Sequence, residues 1–314
     1  MTTSFIDANV GRAFLGVLLI LVASTVVLYI LGKAKPASDF TSLRLRVRSW
    51  WIMAGVFAVA IVLGRTVSLV FFGLISFLAL KEYLSLIPTR RVDRSVLLWV
   101  YLAIPIQYLW VGLESYGMFI IFIPVFMFLF LPIRMMMVGE TTGFLRAVGT
   151  IHWGLMMTVF SLSHAAFLFA LPPSGNPNGG GAGLLLYLVS LTQLNDVSQF
   201  IWGKLFGRHK VVPKVSLGKT WEGLIGGVAT TVLLAVLIAP LLTPLDTRGA
   251  LFAGGLIGLA GFFGDVTISC LKRDLGIKDS GSLIPGHGGI LDRVDSLTYT
   301  APLFFHFVRY FYFR

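Results

Sequence analysis

Charge is what this 314-residue chain has least of. Asp, Glu, Lys and Arg make up 12% of it and hydrophobic residues 56%, whereas charged residues are about 25% of a soluble domain. This scarcity excludes a single water-soluble core. Cysteine is also nearly absent, and the lone Cys270 excludes an intramolecular disulfide. Acidic residues number 14 against 25 basic ones, for a net charge of +11. Such an excess fits either nucleic-acid binding or the basic cytoplasmic loops of a membrane protein.

Long apolar runs are plentiful, and a membrane-spanning helix needs roughly 20 apolar residues. The first run is followed directly by Lys33 and Lys35, which favours a retained helix over a cleaved signal peptide. The runs at 50–64 and 66–80 are short, so they predict either two crossings or one re-entrant hairpin. The predicted fold is an all-α polytopic membrane bundle of eight to ten transmembrane helices. The ten runs lie at about 14–31, 50–64, 66–80, 95–113, 118–133, 147–171, 183–202, 223–242, 250–268 and 297–312.

The basic residues follow the loops that alternate along such a bundle. If all ten runs cross, one side holds 20 of the 25 Lys and Arg residues. The positive-inside rule therefore places that side in the cytoplasm, and a nucleic-acid partner is not expected. The predicted location is an integral cell membrane, the bacterial inner membrane. The five loops on the basic side are 33–49, 81–94, 134–146, 203–222 and 269–296.

A Gly- and Pro-rich connection at 172–183 divides the chain into two parts of different composition. Eight of the 14 acidic residues fall between Asp196 and Asp295. We therefore predict membrane scaffold helices over 1–171 and a catalytic membrane region over 183–314.

Two acids inside apolar runs, Asp196 and Asp265, are the most informative single residues. A carboxylate at membrane depth is costly unless it is paired, bound to a metal or facing water. Either these two lie near enough to the interface to be solvated or to pair with a lysine of a loop, or they line a polar cleft open to the cytoplasm. Both interpretations stay open on the sequence alone.

The loop before the last run combines cations, carboxylates and a glycine-rich bend. Asp292 and Asp295 are three residues apart and share one face if they are helical. Carboxylate oxygens suit Mg²⁺, which is usually held by one or two carboxylates together with substrate phosphates. Lys272, Arg273 and Lys278 supply charge for phosphates. The loop predicts a site for phosphorylated substrates.

This loop resembles the signature of the phosphatidate cytidylyltransferases, also called CDP-diacylglycerol synthases. That pattern reads S-x-x-K-R, four residues, K-D, and then H-G-G-x-x-D-R-x-D. Every fixed position is present, from Ser269 through His287 to Asp295.

The preceding loop is similar to the same family through Asp196, Gly203-Lys204 and Ser216 to Gly223. Asn195 stands where Thr is usual, Phe200 where Tyr is usual and Leu217 where Pro is usual. These departures indicate a divergent branch. The resemblance covers about 125 residues, from Leu191 to the C-terminus.

The resemblance implies transfer of a cytidylyl group from CTP to phosphatidic acid, giving CDP-diacylglycerol and pyrophosphate. It implies Mg²⁺, alone or with a second cation, held by Asp265 and Asp292. His287 either contacts a phosphate or braces the glycine bend. The implied catalytic residues are Asp265, Lys272, Arg273, Asp292 and Asp295, and the implied substrate-binding residues are Asp196, Ser216, Lys219, Thr220, Lys278, His287 and Arg293.

Other functions compatible with the sequence are CTP-dependent transfer to a different lipid phosphate or a polyprenyl alcohol, and membrane transport. Transporters more often carry broken helices and acids at the bilayer midplane, whereas the acids here cluster at one face. The bilayer is an expected partner, and the sequence leaves a homodimer open.

Overall fold

The computed structural model describes residues 7–35, 39–88, 90, 93–281, 283 and 288–313. Within these ranges the chain folds into α-helices joined by short loops. Two of the helices, α5 and α6, contain a π-helical stretch. The helices are α1 (Ala8–Ala34), α2 (Thr41–Val62), α3 (Arg65–Leu86), α4 (Arg94–Gly112), α5 (Tyr116–Met136), α6 (Phe144–Leu168), α7 (Gly180–Phe206), α8 (Trp221–Leu242), α9 (Thr247–Asp274), α10 (Leu291–Val294) and α11 (Leu297–Tyr312).

The predicted all-α membrane bundle is confirmed. Among the described residues, 8 helices are long and apolar enough to cross a membrane, namely α1 to α6, α8 and α9. The 50–80 region forms two separate helices of 22 residues each, so the structure favours two crossings over a re-entrant hairpin. The chain is an integral membrane protein.

Helices α7, α8 and α9 pack closely because glycines line their contacts. A Cβ on Gly227 of α8 would lie 2.3 Å from Cγ of Gln199 on α7. A Cβ on Gly254 of α9 would lie 2.7 Å from Cα of Val232 on α8. Small residues let membrane helices approach in this way. The three helices therefore form a tight unit, against which α11 also packs.

Hydrogen bonds between loops show which loops share a side. Arg90 Nη1 donates to the Thr142 carbonyl at 2.7 Å, which joins the α3–α4 and α5–α6 loops. Arg273 Nε donates to the Val215 carbonyl at 3.1 Å, which joins the end of α9 to the α7–α8 loop. Asn178 Nδ2 donates to the Thr243 carbonyl at 3.3 Å and joins two loops of the opposite set. The contacts agree with the alternation of loops inferred from the basic residues.

Asp246 begins α9 as its N-cap. Its Oδ1 accepts hydrogen bonds from the Gly249 N–H at 2.9 Å and from the Tyr312 hydroxyl at 2.8 Å. These donors lower the pKa of Asp246 below its usual value, and a carboxylate is favourable at a helix N-terminus. We expect Asp246→Ala to lower the free energy of unfolding by about 1 kcal/mol, whereas Asp246→Asn keeps an acceptor. Thermal unfolding in detergent measures the stability of both variants. Equal unfolding midpoints for Asp246→Ala and Asp246→Asn would contradict the role of Asp246 as a cap.

Candidate active site

Acidic side chains from three parts of the chain line one small cavity of about 200 Å³. Asp196 comes from α7, Asp265 from α9, and Asp292 and Asp295 from the segment around α10. The structure thus brings together residues up to 99 positions apart. The other lining residues are Gln193, Lys272, Asp279 and Arg293.

Lys219 forms an ion pair with Asp265 at the edge of this cavity. The α7–α8 loop positions the lysine, because the Val211 N–H donates to the Lys219 carbonyl at 3.1 Å. The next residue, Thr220, caps α8 by accepting from the Gly223 N–H at 3.1 Å. Burial favours neutral Lys219, but Asp265 and Asp196 outweigh it and raise the lysine pKa above its usual value. Lys219 is therefore a fixed positive charge beside the carboxylates.

Asp292 organises the loop between α9 and α11. Its Oδ1 accepts from Lys272 Nζ at 2.7 Å, and its Oδ2 accepts from the N–H groups of Ser280 and Gly289 at 2.9 and 3.1 Å. Burial opposes its ionisation, yet these donors together hold the pKa of Asp292 below its usual value. Gly288 has φ +81°, a conformation that suits glycine. Asp292 thus joins Ser280 and Gly289, two separate points of the loop, to Lys272 of α9.

Asp196 and Asp295 meet through Ser296. The Ser296 hydroxyl donates to Asp196 Oδ1 at 3.0 Å, and the Ser296 N–H donates to Asp295 Oδ1 at 2.7 Å. Burial and the neighbouring carboxylates of Asp265 and Asp196 raise the pKa of Asp295 well above its usual value. These carboxylates crowd one another, so a bound cation would relieve their repulsion.

A larger cleft of about 950 Å³ adjoins the cavity and shares Asp196, Asp265 and Arg293 with it. Two buried donors that line this cleft, Arg293 Nε and Gln199 Nε2, have no acceptor among the described residues. Buried donors are normally satisfied. The described part of the chain thus leaves two buried polar atoms unsatisfied beside the cleft.

The predicted substrate-binding residues mostly line the larger cleft. Arg273 does not line either space. Its guanidinium donates to the backbone carbonyls of Val215 and Ile277 at 3.1 and 3.0 Å, so in this structure it fastens two loops together. The prediction for His287 falls outside the described residues. The predicted residues found in the cleft are Asp196, Ser216, Lys219, Thr220, Lys278 and Arg293.

Helix α2 adds side chains to the cleft that the sequence did not reveal. Ser42, Arg46 and Trp50 line it together with residues of α7 and the α7–α8 loop. Asp279 lines both spaces, and the K-D pair of the loop motif was an available signal for it. Arg46 had no comparable signal, because basic residues near a helix end ordinarily report orientation.

Two of the departures from the family pattern lie at different places. Asn195 is fully buried, donates to the Gly258 carbonyl at 3.2 Å and accepts from the Thr231 hydroxyl at 3.0 Å, so it joins α7, α8 and α9. Leu217 is 74% exposed on the α7–α8 loop. Asn195 therefore affects helix packing, whereas Leu217 affects the loop surface.

The donor set suits a hard divalent cation in the small cavity. Asp265 has one oxygen paired with Lys219 and another that accepts from the Ser269 hydroxyl at 3.2 Å. Within the described ranges, no group of three or more His, Cys, Asp or Glu side chains is arranged to hold an ion by itself. A bound ion would therefore take one or two of these carboxylates and its further ligands from water and phosphates, as Mg²⁺ does.

Comparison with known families matches residues 44–311 to the model of the cytidylyltransferase family. Among individual proteins, the chain is 53% identical to the uncharacterized protein YnbB of Escherichia coli over 266 residues, covering 85% of this chain and 87% of YnbB.

Relatives named phosphatidate cytidylyltransferase match a shorter stretch. The protein from Haemophilus influenzae is 42% identical over 40% of this chain and 46% of its own length. The protein from Synechocystis is 44% identical over 42% of this chain and 46% of its own length. The matched stretch is thus less than half of either relative. Because the family model spans most of the sequence, the chain belongs to the cytidylyltransferase family.

Proposed function

We propose that the protein transfers the cytidylyl group of CTP to phosphatidic acid, forming CDP-diacylglycerol and pyrophosphate. The observation that carries this proposal is one polar site in which a cleft lined by the basic side chains of Lys219, Lys278 and Arg293 adjoins a cavity lined by carboxylates. Family membership and the names of the partly matching relatives support it.

The reaction joins two polyanions. A phosphate oxygen of the lipid forms a bond to the α-phosphorus of CTP, while the bond from that phosphorus to the bridging oxygen breaks and pyrophosphate leaves. A phosphate monoester is largely ionised near neutral pH, so the nucleophile needs no dedicated general base. The protein must therefore position the two phosphates and offset their charge.

The basic side chains of the site are suited to that task. Lys219, Lys278 and Arg293 line the cleft, and Arg293 also lines the small cavity. Their ammonium and guanidinium groups would hold the triphosphate by charge-assisted hydrogen bonds.

We propose that the acids hold Mg²⁺ in the small cavity. When bound, the ion neutralises charge on the phosphate oxygens and on the departing pyrophosphate. One or two of Asp265, Asp196 and Asp295 would serve as ligands, because Asp292 already accepts three donors. The predicted direct role of Asp292 as a ligand stays a prediction.

The larger cleft suits an amphiphilic acceptor. Val197 and Phe200 of α7 line it and are 43% and 63% exposed. Acyl chains would remain beside these apolar side chains in the bilayer while the headgroup enters between α2 and α7. We propose that the basic loops face the cytoplasm, where CTP is available, as the positive-inside rule requires.

Arg46 of α2 is placed to bind the lipid phosphate. It lines the larger cleft, and a hydrogen bond to a charged group contributes about 1.5–3 kcal/mol. We expect Arg46→Ala to raise the KM for phosphatidic acid about tenfold or more, with little change in the KM for CTP. Arg48→Ala, two residues along and on the opposite face of α2, is the matched control. Equal lipid KM values for the two variants would contradict this role.

The proposed activity is tested with purified protein, labelled CTP, Mg²⁺ and a panel of acceptors. We expect labelled CDP-lipid and an equal amount of pyrophosphate with phosphatidic acid, loss of both with EDTA and recovery with Mg²⁺. Product with another lipid phosphate or a polyprenyl alcohol, and none with phosphatidic acid, would change the acceptor. No product with any acceptor would overturn the transferase proposal.

A further inference from the structure

Glu82, near the end of α3, contacts the α9–α11 loop from the N-terminal part of the chain. Its Oε2 accepts from the Ile290 N–H at 2.9 Å, and its Oε1 accepts from the Leu291 N–H at 3.1 Å. Its Oε1 also accepts a hydrogen bond from the Ser280 hydroxyl. One carboxylate therefore binds both sides of the loop that carries Asp292 and Arg293.

Glu82 and Asp292 accept hydrogen bonds from neighbouring groups of the same loop. Ser280 donates its N–H to Asp292 and its hydroxyl to Glu82. Gly289 donates its N–H to Asp292, and the next two N–H groups donate to Glu82. Asp292 and Glu82 together accept all of these hydrogen bonds. Removing either carboxylate would leave backbone N–H groups without an acceptor in a largely buried segment.

Gly289 gives an independent indication of how closely Glu82 approaches. A Cβ at this position would lie 1.9 Å from Glu82 Oε1, and the three nearest atoms are all atoms of the Glu82 carboxylate. The contact therefore accounts for glycine at position 289. A side chain there would push the carboxylate away from the loop.

We propose that Glu82 is a positioning residue that fixes the α9–α11 loop in the conformation in which Arg293 and Asp295 line the small cavity. Its consequence for turnover rests on the proposed function. Glu82 does not line the cavity or the cleft, so it acts through the loop. Misplacing reacting groups by about 1 Å is sufficient to slow a reaction on the order of a hundredfold.

The first test measures the loop itself, without substrates. Lys278 is exposed within the loop, so trypsin cleavage after it reports how firmly the loop is held. We expect Glu82→Ala to accelerate this cleavage about tenfold or more, and Ser280→Ala, which removes one of the three donors, to accelerate it less. Ser85→Ala is the matched control, because Ser85 is exposed one turn further along α3. Cleavage of Glu82→Ala at the wild-type rate would overturn the proposal.

The second test combines Glu82→Ala with Gly289→Ala. In the wild-type background, Gly289→Ala should accelerate cleavage and lower kcat, because its methyl group displaces the carboxylate. In the Glu82→Ala background the same substitution should add less than about twofold to either effect. Equal effects in the two backgrounds would show that Gly289 serves another purpose and would overturn the proposed contact.

The two proposals fail in distinguishable ways. We expect Glu82→Ala to lower kcat about 10- to 100-fold while changing the KM for CTP far less. A wild-type protein that forms no CDP-lipid would overturn the proposed function, and the cleavage measurements would still decide whether Glu82 anchors the loop. Faster cleavage with unchanged kcat would retain the contact and overturn its role in positioning.

Discussion

Asp265→Asn is expected to lower kcat/KM for CTP by about 10²- to 10³-fold, a loss typical of removing a main electrostatic contribution to a transition state. The substitution keeps the shape of the side chain and removes its charge. Asp265 lines both the small cavity and the larger cleft, and it pairs with Lys219. It therefore couples the carboxylate cluster to the phosphate-binding side.

The loss should affect activity more than stability. The Lys219 and Asp265 side chains retain 19% and 24% of their surface exposed, so water and the nearby Asp196 carboxylate stabilise the charge of Lys219 after the substitution. A rise in the Mg²⁺ concentration needed for half-maximal activity would support metal binding by Asp265. The midpoint of thermal unfolding should change little, whereas kcat/KM should fall strongly.

Asp274→Asn is the matched control for this experiment. Asp274 ends the same helix, is exposed and does not line either space. It should retain wild-type activity. If the activity of Asp265→Asn is within a few-fold of that of Asp274→Asn, then Asp265 takes no part in the reaction and serves only to pair with Lys219.

Hydropathy predicted the number of membrane helices better than their lengths. The run at 50–64 stopped where Arg44, Arg46 and Arg48 interrupt the apolar residues, yet the helix begins at Thr41. An apolar run reports which residues favour the membrane, whereas backbone hydrogen bonds continue the helix beyond it. Two of the three α2 residues that line the cleft, Ser42 and Arg46, lie in the unpredicted part of the helix.

The sequence also predicted the acids of the C-terminal part, because a carboxylate in or beside an apolar run is unusual. It did not predict Glu82, which lies 208 positions from Ile290. A Lys-Glu pair at the end of an apolar run is equally typical of a solvated helix end. Only the packing of α3 against α10 distinguishes an anchor from such a surface residue.

The predicted division at 172–183 stays a prediction, but the site draws on both sides of it. Helix α2 supplies Arg46, and α3 supplies Glu82. An acceptor that enters between α2 and α7 would contact residues outside the stretch that resembles the phosphatidate cytidylyltransferases. Acceptor preference would then depend on the N-terminal helices, while the chemistry depends on the acids of the C-terminal part.

Gly264→Ala should be the most damaging change that leaves every polar group of the site in place. A Cβ on Gly264 would lie 2.5 Å from the Asp295 carbonyl oxygen and 3.0 Å from Cα of Ser296. These are backbone atoms, so α9 must move away from the segment that carries Asp295. Overpacking of this kind costs about 1–3 kcal/mol.

The expected result of that movement is a fall in kcat of about 10- to 100-fold, because Asp265 follows Gly264 directly and shifts away from Asp295 with the helix. Gly255→Ala is the matched control on α9, since a Cβ there meets nothing within 4 Å. Gly255→Ala should keep wild-type turnover. Wild-type turnover in both variants would show that the site tolerates separation of its acids. The tight contact at Gly264 would then not serve to keep Asp265 close to Asp295.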